Sequence, residues 1–275
     1  ERIAVTKKKD SKLVEAGREP DKHSGAVNVP VYRASTILFP NVAALSDHSQ
    51  PYTYGRRATP TTRGLEHAIA ELEAGETGVK ARTVLTPSGL SACALSILSV
   101  CAAGDHILVV DSCYGPTRQF CNRVLKRYGV TTEYFAPSLS APEVAARFKP
   151  ETKAVFLESP GSFTFEVQDI PGIAAAAHEK HIAVIMDNTW ATPLFFCALA
   201  HGVDLSVQSA TKYMGGHADV SLGSVTANPH YAERLIDTHG TFGLTVGGDD
   251  AYLVRSEEHT SELQSRLHLV CRLLL

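Results

Sequence analysis

Short, almost purely aliphatic runs recur along the second part of this chain, separated by stretches of helical periodicity. His106–Asp111 (HILVVD), Lys153–Glu158 (KAVFLE) and Ile182–Asp187 (IAVIMD) each read as a strand buried on both faces. Thr131–Phe135, Asp204–Gln208 and Ser221–Thr226 are further strand candidates. Helical patterns intervene at about 116–128, 142–148 and 170–181. Strands alternating with helices predict an α/β fold, with a mostly parallel sheet and helices on both faces.

Residues 1–60 are different in kind. They are polar, have only short apolar runs, and carry Pro20, Pro30, Pro40, Pro51 and Pro60, so they are expected to form an extended N-terminal arm. The pattern changes at Thr61. Leu65, Ala68, Ile69 and Leu72 share a helical face, with Thr61 or Thr62 as a cap and Gly75 as a stop. The predicted organisation is an arm over 1–60, a large domain over 61–254 and a distinct tail over 255–275.

Composition narrows the function. Lys and Arg total 26 against 29 Asp and Glu, so no basic excess points to nucleic acid or an anionic membrane. No apolar run reaches membrane-spanning length. Glu1–Lys9 lacks the apolar segment of a signal peptide. The six cysteines (93, 101, 113, 121, 197 and 271) form no C-x-x-C pair and no zinc spacing. They are expected to be reduced thiols in a cytoplasmic protein that holds no metal.

In open α/β sheets ligands bind beyond the carboxyl ends of the strands, so the residues there carry the chemistry. Asp187 ends an aliphatic strand, where its carboxylate is costly to bury without a partner. Lys212 follows another strand, inside Gln208-Ser209-Ala210-Thr211-Lys212-Tyr213, and could serve as an amine nucleophile. Thr86-Pro87-Ser88-Gly89-Leu90 opens a small-residue helix whose first N–H groups suit an anion such as phosphate. Each has a bland counterpart: a turn residue, a solvated lysine, an ordinary cap. Together they fit pyridoxal phosphate, with the phosphate on the helix, the aspartate on the pyridine nitrogen and the lysine on the aldehyde.

In these residues the chain resembles the cystathionine β-lyase branch of the Cys/Met-metabolism pyridoxal-phosphate enzymes of fold type I. The matching stretches are Gly25–Asn28 to Ser35-Thr36, Tyr54-Gly55-Arg56-Arg57, Thr86–Ala92, Tyr114–Thr117, Glu158–Ser162, Asp187–Trp190 and Ser209–Tyr213 through Gly216-His217, in the family's order. The resemblance implies that Lys212 holds pyridoxal 5'-phosphate as a Schiff base and then moves the proton at the substrate Cα. It implies that Asp187 keeps the pyridine nitrogen protonated and that Tyr114 stacks on the ring near the leaving sulfur. Gly89, Leu90, Ser209 and Thr211 would bind the phosphate. Tyr54 and Arg56 would reach the phosphate of a neighbouring subunit, so a homodimer or homotetramer with shared active sites is expected. His217 is expected to be a plain loop residue or to support the site from behind rather than to act in catalysis.

The implied reaction is β-elimination from an amino-acid thioether, cystathionine giving homocysteine, pyruvate and ammonia for methionine biosynthesis. Gly161-Ser162 after Glu158-Ser159-Pro160 favours it over the γ-synthase and γ-lyase branch, which usually has an Asn-Pro pair there. Beyond Val254 the resemblance ends, and with it the family's C-terminal domain and substrate-binding arginine. Arg255–Ser265 resembles a translated sequencing adapter, so the tail is expected to be non-native and the chain to bind cofactor but turn over cystathionine poorly or not at all. The other reading of the tail is a helix carrying Leu263, Leu267, Val270 and Leu274 on one side.

Overall fold

The computed structural model describes residues 15–47 and 49–256. The proposed tail helix and Cys271 lie outside them. Seven strands form one sheet in the order β1-β7-β6-β5-β4-β2-β3, with β1 Arg82–Thr86, β2 His106–Val110, β3 Thr131–Phe135, β4 Thr152–Glu158, β5 Ala183–Asp187, β6 Leu205–Gln208 and β7 Gly223–Ala227. The five strands from β6 to β3 are parallel to their neighbours, while β7 runs antiparallel to both β6 and β1. The parallel strands β2 and β5 are buried along their whole length, which is why they read as continuous aliphatic runs.

Nine α-helices accompany the sheet among the described residues: α1 Val42–Asp47, α2 Pro60–Ala74, α3 Gly89–Leu98, α4 Gly115–Phe120, α5 Ala141–Ala145, α6 Ile170–His178, α7 Thr192–Phe195, α8 Pro229–Phe242 and α9 Gly248–Ser256. They cover both faces. Val84 belongs to the larger apolar core, with Ile107, Val155 and Ile185, while the next residue, Leu85, joins Leu65, Ile69 and Val254 in a second core. Alternation along β1 thus serves two layers of helices. No helix among the described residues is long and apolar enough to cross a membrane, and no group of three or more His, Cys, Asp or Glu there could hold a metal ion.

Two predicted elements differ in detail. Helix α2 begins two or three residues earlier than Thr61 or Thr62 as cap would set it. Thr59 is the cap, Pro60 opens the helix, and Thr62 completes a reciprocal capping box by accepting the Thr59 amide. The helix expected over 116–128 is α4 followed by a π-helical turn, Cys121–Leu125. Residues 15–59 contain α1, a 3₁₀ turn at Pro20–His23 and a single bridge from Thr36 to Tyr54. Helix α9 continues through Ser256 and so crosses the boundary drawn after Val254.

Candidate active site

The carboxyl ends of β4, β5 and β6 deliver Glu158, Asp187 and the Ser209–Lys212 turn to one end of the sheet. Thr189 ties the last two together. Its amide donates to Asp187 Oδ1 at 3.0 Å, and its hydroxyl oxygen accepts the Ser209 amide at 2.8 Å. The Ser209 carbonyl in turn accepts the Lys212 amide at 2.9 Å, starting the turn on which the lysine stands. The Lys212 side chain is exposed.

The α3 N-terminus abuts the same turn. Ser88 caps it by accepting the Ser91 amide at 3.1 Å. The Gly89 and Leu90 N–H groups precede the first intrahelical bond and point away from the helix body. A Cβ on Gly89 would lie 2.6 Å from the Ser209 Cβ, so only glycine lets helix and turn come this close. The Thr211 hydroxyl is already engaged. It donates to the Leu222 carbonyl at 3.1 Å and accepts the Leu222 amide at 3.0 Å, which leaves Ser209 as the hydroxyl facing the helix end.

Asp187 is buried, and burial pushes its carboxyl above the ordinary range; bonds from Thr189 and the positive charge of Lys212 act in the opposite direction. Its Oδ2 receives the thiol of Cys93 at 3.6 Å, a weak donor. Burial, and then the Asp187 charge, hold that thiol protonated well above its usual range. Glu158 is raised by burial and by Asp187, its in-register neighbour on the adjacent strand. Lys212 acts on Asp187, so of the two carboxyls Asp187 has a cation favouring its ionised form.

Tyr114 precedes α4 at the end of β2, its ring partly exposed, and its amide donates to Glu158 Oε2 at 2.6 Å. Tyr54 and Arg56 form a separate pair: the guanidinium lies 5.6 Å from the Tyr54 ring centroid and donates to the Gly240 carbonyl at 3.1 Å. His217 is exposed. Cys93 was not among the residues expected at the site, and Thr189 and Glu158 were quoted only as parts of motifs. Glu158 had the signal that marked Asp187, a carboxylate closing an aliphatic strand.

The sequence profile of the Cys/Met metabolism PLP-dependent enzymes matches residues 10–267. A putative cystathionine beta-lyase of Rhizobium johnstonii is 48% identical over 259 residues, covering 94% of this chain and 64% of that protein. The cystathionine beta-lyase MetC of Escherichia coli is 39% identical over 269 residues, 95% of this chain and 67% of that one. Among solved structures, cystathionine gamma-lyase from Lactobacillus plantarum, complexed with L-serine, superposes with a TM-score of 0.86 at 31% identity, covering 94% of this chain and 65% of that one. The chain therefore spans about two thirds of the length of these relatives. With its sheet, its strand-end carboxylate and its strand-end lysine in place, the chain belongs to the Cys/Met metabolism PLP-dependent enzyme family.

Proposed function

We propose that this chain carries the cofactor-binding machinery of a carbon–sulfur β-lyase that acts on cystathionine and releases homocysteine, pyruvate and ammonia. Family membership implies pyridoxal 5'-phosphate, and the residues present fit it. Asp187 Oδ2 accepts the weakly donating Cys93 thiol at 3.6 Å and suits a stronger N–H donor. The Gly89–Ser209 approach makes a cradle that any side chain on Gly89 would fill. When bound, the cofactor supplies an electron sink for the pair left at the substrate Cα.

The chain's own residues would then divide the work. Gly89 and Leu90 would hold the phosphate through their amides, with the Ser209 hydroxyl beside them. Asp187 would hold the proton on the pyridine nitrogen. Lys212 would carry the aldehyde carbon and later take the proton from the substrate Cα, a transfer of the kind that contributes about 10²–10⁴-fold. The Tyr114 ring would support the cofactor ring from the side of the leaving sulfur. Tyr54 and Arg56, paired at Gly240, would serve a second subunit, making the working form a homodimer or homotetramer. The cytoplasm is the compartment this reading favours, because the five described cysteines form no disulfide.

The observation that carries the reading is the Asp187–Thr189–Ser209–Lys212 linkage packed on the α3 N-terminus. Borohydride reduction in the presence of pyridoxal phosphate, followed by peptide mapping, tests it. Label on Lys212 is expected, and label elsewhere or nowhere overturns it. Pyruvate rather than 2-oxobutyrate from cystathionine separates β- from γ-elimination.

A further inference from the structure

Glu158 is buried at the end of β4, and its two carboxyl oxygens have different partners. Oε2 accepts the Tyr114 amide at 2.6 Å, and Oε1 accepts the Ser162 hydroxyl at 2.5 Å. The same two loops meet a second time, where the Ser162 amide donates to the Ser112 carbonyl at 2.8 Å. Gly161 lies between these contacts. A Cβ there would come within 2.6 Å of the Ser112 Cβ, so the 161–162 loop closes this tightly on the 112–114 loop only with glycine. Tyr114 itself makes no side-chain cap bond to its helix. Its main chain is fixed from one side by Glu158.

We propose that Glu158 is a positioning residue: by taking the Tyr114 amide on one oxygen and the Ser162 hydroxyl on the other, it locks the two loops together and sets the Tyr114 ring at the cofactor cleft. The locking follows from the bonds above, and its consequence for the ring rests on the cofactor site just assigned. Ser162 acts through Glu158. The 162–165 segment also carries Phe165, whose ring lies 5.4 Å from that of Trp190, the residue three beyond Asp187. The lock therefore also holds a loop that leans on the β5 end of the site.

Glutamine at 158 can keep both bonds, accepting the Tyr114 amide with its oxygen and donating its amide to the Ser162 hydroxyl. Alanine keeps neither. Hydrogen exchange at the Tyr114 amide, measured on the full chain without cofactor, is expected to speed up about tenfold in Glu158→Ala and to stay near wild type in Glu158→Gln. Trp190, the chain's single tryptophan, is expected to shift its emission to the red in Glu158→Ala alone. With pyridoxal phosphate added, visible circular dichroism from the bound ring is expected to fall in Glu158→Ala and to be kept in Glu158→Gln. Unchanged exchange in the alanine variant overturns the proposal, as does an equal loss in both variants, which would make the charge rather than the bonding decisive. If Glu158→Ala does not fold, Ser162→Ala gives the reading: faster Tyr114 exchange supports the lock and a wild-type rate refutes it. A wild-type chain that takes up no cofactor would sink the lyase reading while leaving the exchange result to stand or fall alone.

Discussion

Glu158 and Asp187 face each other in register as the last residues of two adjacent parallel strands, so one end of the sheet carries two buried carboxyls side by side. They are distinguished by what surrounds them. Glu158 spends both oxygens on neighbouring loops, whereas Asp187 keeps one oxygen on a thiol and has the Lys212 charge acting on it. The first holds protein, and the second is the carboxyl proposed above to meet the charged ring nitrogen.

That difference makes Asp187→Asn a direct test. Asparagine keeps the size and can still accept the Thr189 amide, but it cannot offer a negative charge to a protonated ring nitrogen. A charge-assisted bond of this type is worth about 1.5–3 kcal/mol, so pyridoxal phosphate affinity is expected to fall about 10- to 100-fold. An absorbance titration of the Lys212 adduct measures it. Unchanged affinity would mean that Asp187 does not meet the ring.

Gly89→Ala addresses the other end of the cofactor. Alanine is the better helix former, so the helix itself should not suffer. The new methyl would lie 2.6 Å from the Ser209 Cβ, and relief requires the helix end or the turn to move. Overpacking of this kind costs about 1–3 kcal/mol. Phosphate-dependent binding is therefore expected to weaken by about one to two orders of magnitude, read as the ratio of pyridoxal phosphate to pyridoxal affinity. A ratio equal to wild type would remove this cradle from the site.

A buried acid away from the cleft sets a pH dependence. Glu73 on α2 is fully buried and accepts the Ser206 hydroxyl at 2.8 Å and the Gln208 amide at 2.9 Å on the same oxygen, pinning the helix to β6. Burial outweighs those bonds and lifts its pKa from 4.5 to about 7. The native state then binds more protons than the unfolded chain between those values. Its contribution is full below 4.5 and declines as pH rises toward 7, by about 3 kcal/mol in all. Glu66, also raised to about 7 by burial, adds to the slope. Glu73→Gln keeps the acceptor and abolishes the titration, so urea midpoints of the variant should fall less between pH 5 and pH 7.5 than those of wild type. Parallel curves would refute the assignment.

The fold was legible wherever burial on both faces forced aliphatic runs, and β2, β4 and β5 lie within a residue of their expected bounds; the half-exposed β3 was found at its expected bounds without such a run. Strand β1 escaped notice because its Arg-Thr-Val-Leu-Thr run is short and half polar; its threonines are satisfied in the fold, Thr83 by Thr226 of β7 at 2.8 Å and Thr86 by donating to the Ser88 carbonyl at 2.9 Å. Strand β7 starts later than Ser221, since Ser221 and Leu222 are spent on Pro87 and Thr211 at the rim of the site. The charged candidates for the site were readable because strand-end Asp and Lys are conspicuous against apolar runs. Thr189 and Cys93 were not, because what matters is the partner each finds across the sheet, and one-dimensional pattern carries no such information.

Arg255 gives a test of how far the folded unit extends. It stands one residue past the expected boundary, yet it is among the most buried large side chains, 2% exposed, in α9. Its guanidinium donates to the Gly64 carbonyl of α2 at 2.8 Å and to the Ala16 carbonyl at 2.9 Å, joining the start of the described chain to its end. Gly17, at φ 62°, gives the backbone the left-handed bend beside that guanidinium; a Cβ there would come within 2.8 Å of Arg255 Nη1. Arg255→Met keeps the apolar stem and removes the donors, stranding two carbonyls. Unfolding free energy is expected to drop by about 2–3 kcal/mol, seen as a lower urea midpoint with unchanged slope, and the amides around Ala16 should exchange faster. Truncation after Val254 should reproduce the loss. Wild-type stability in both variants would mean that the unit closes before residue 255 and that the Arg255 bonds contribute nothing to it.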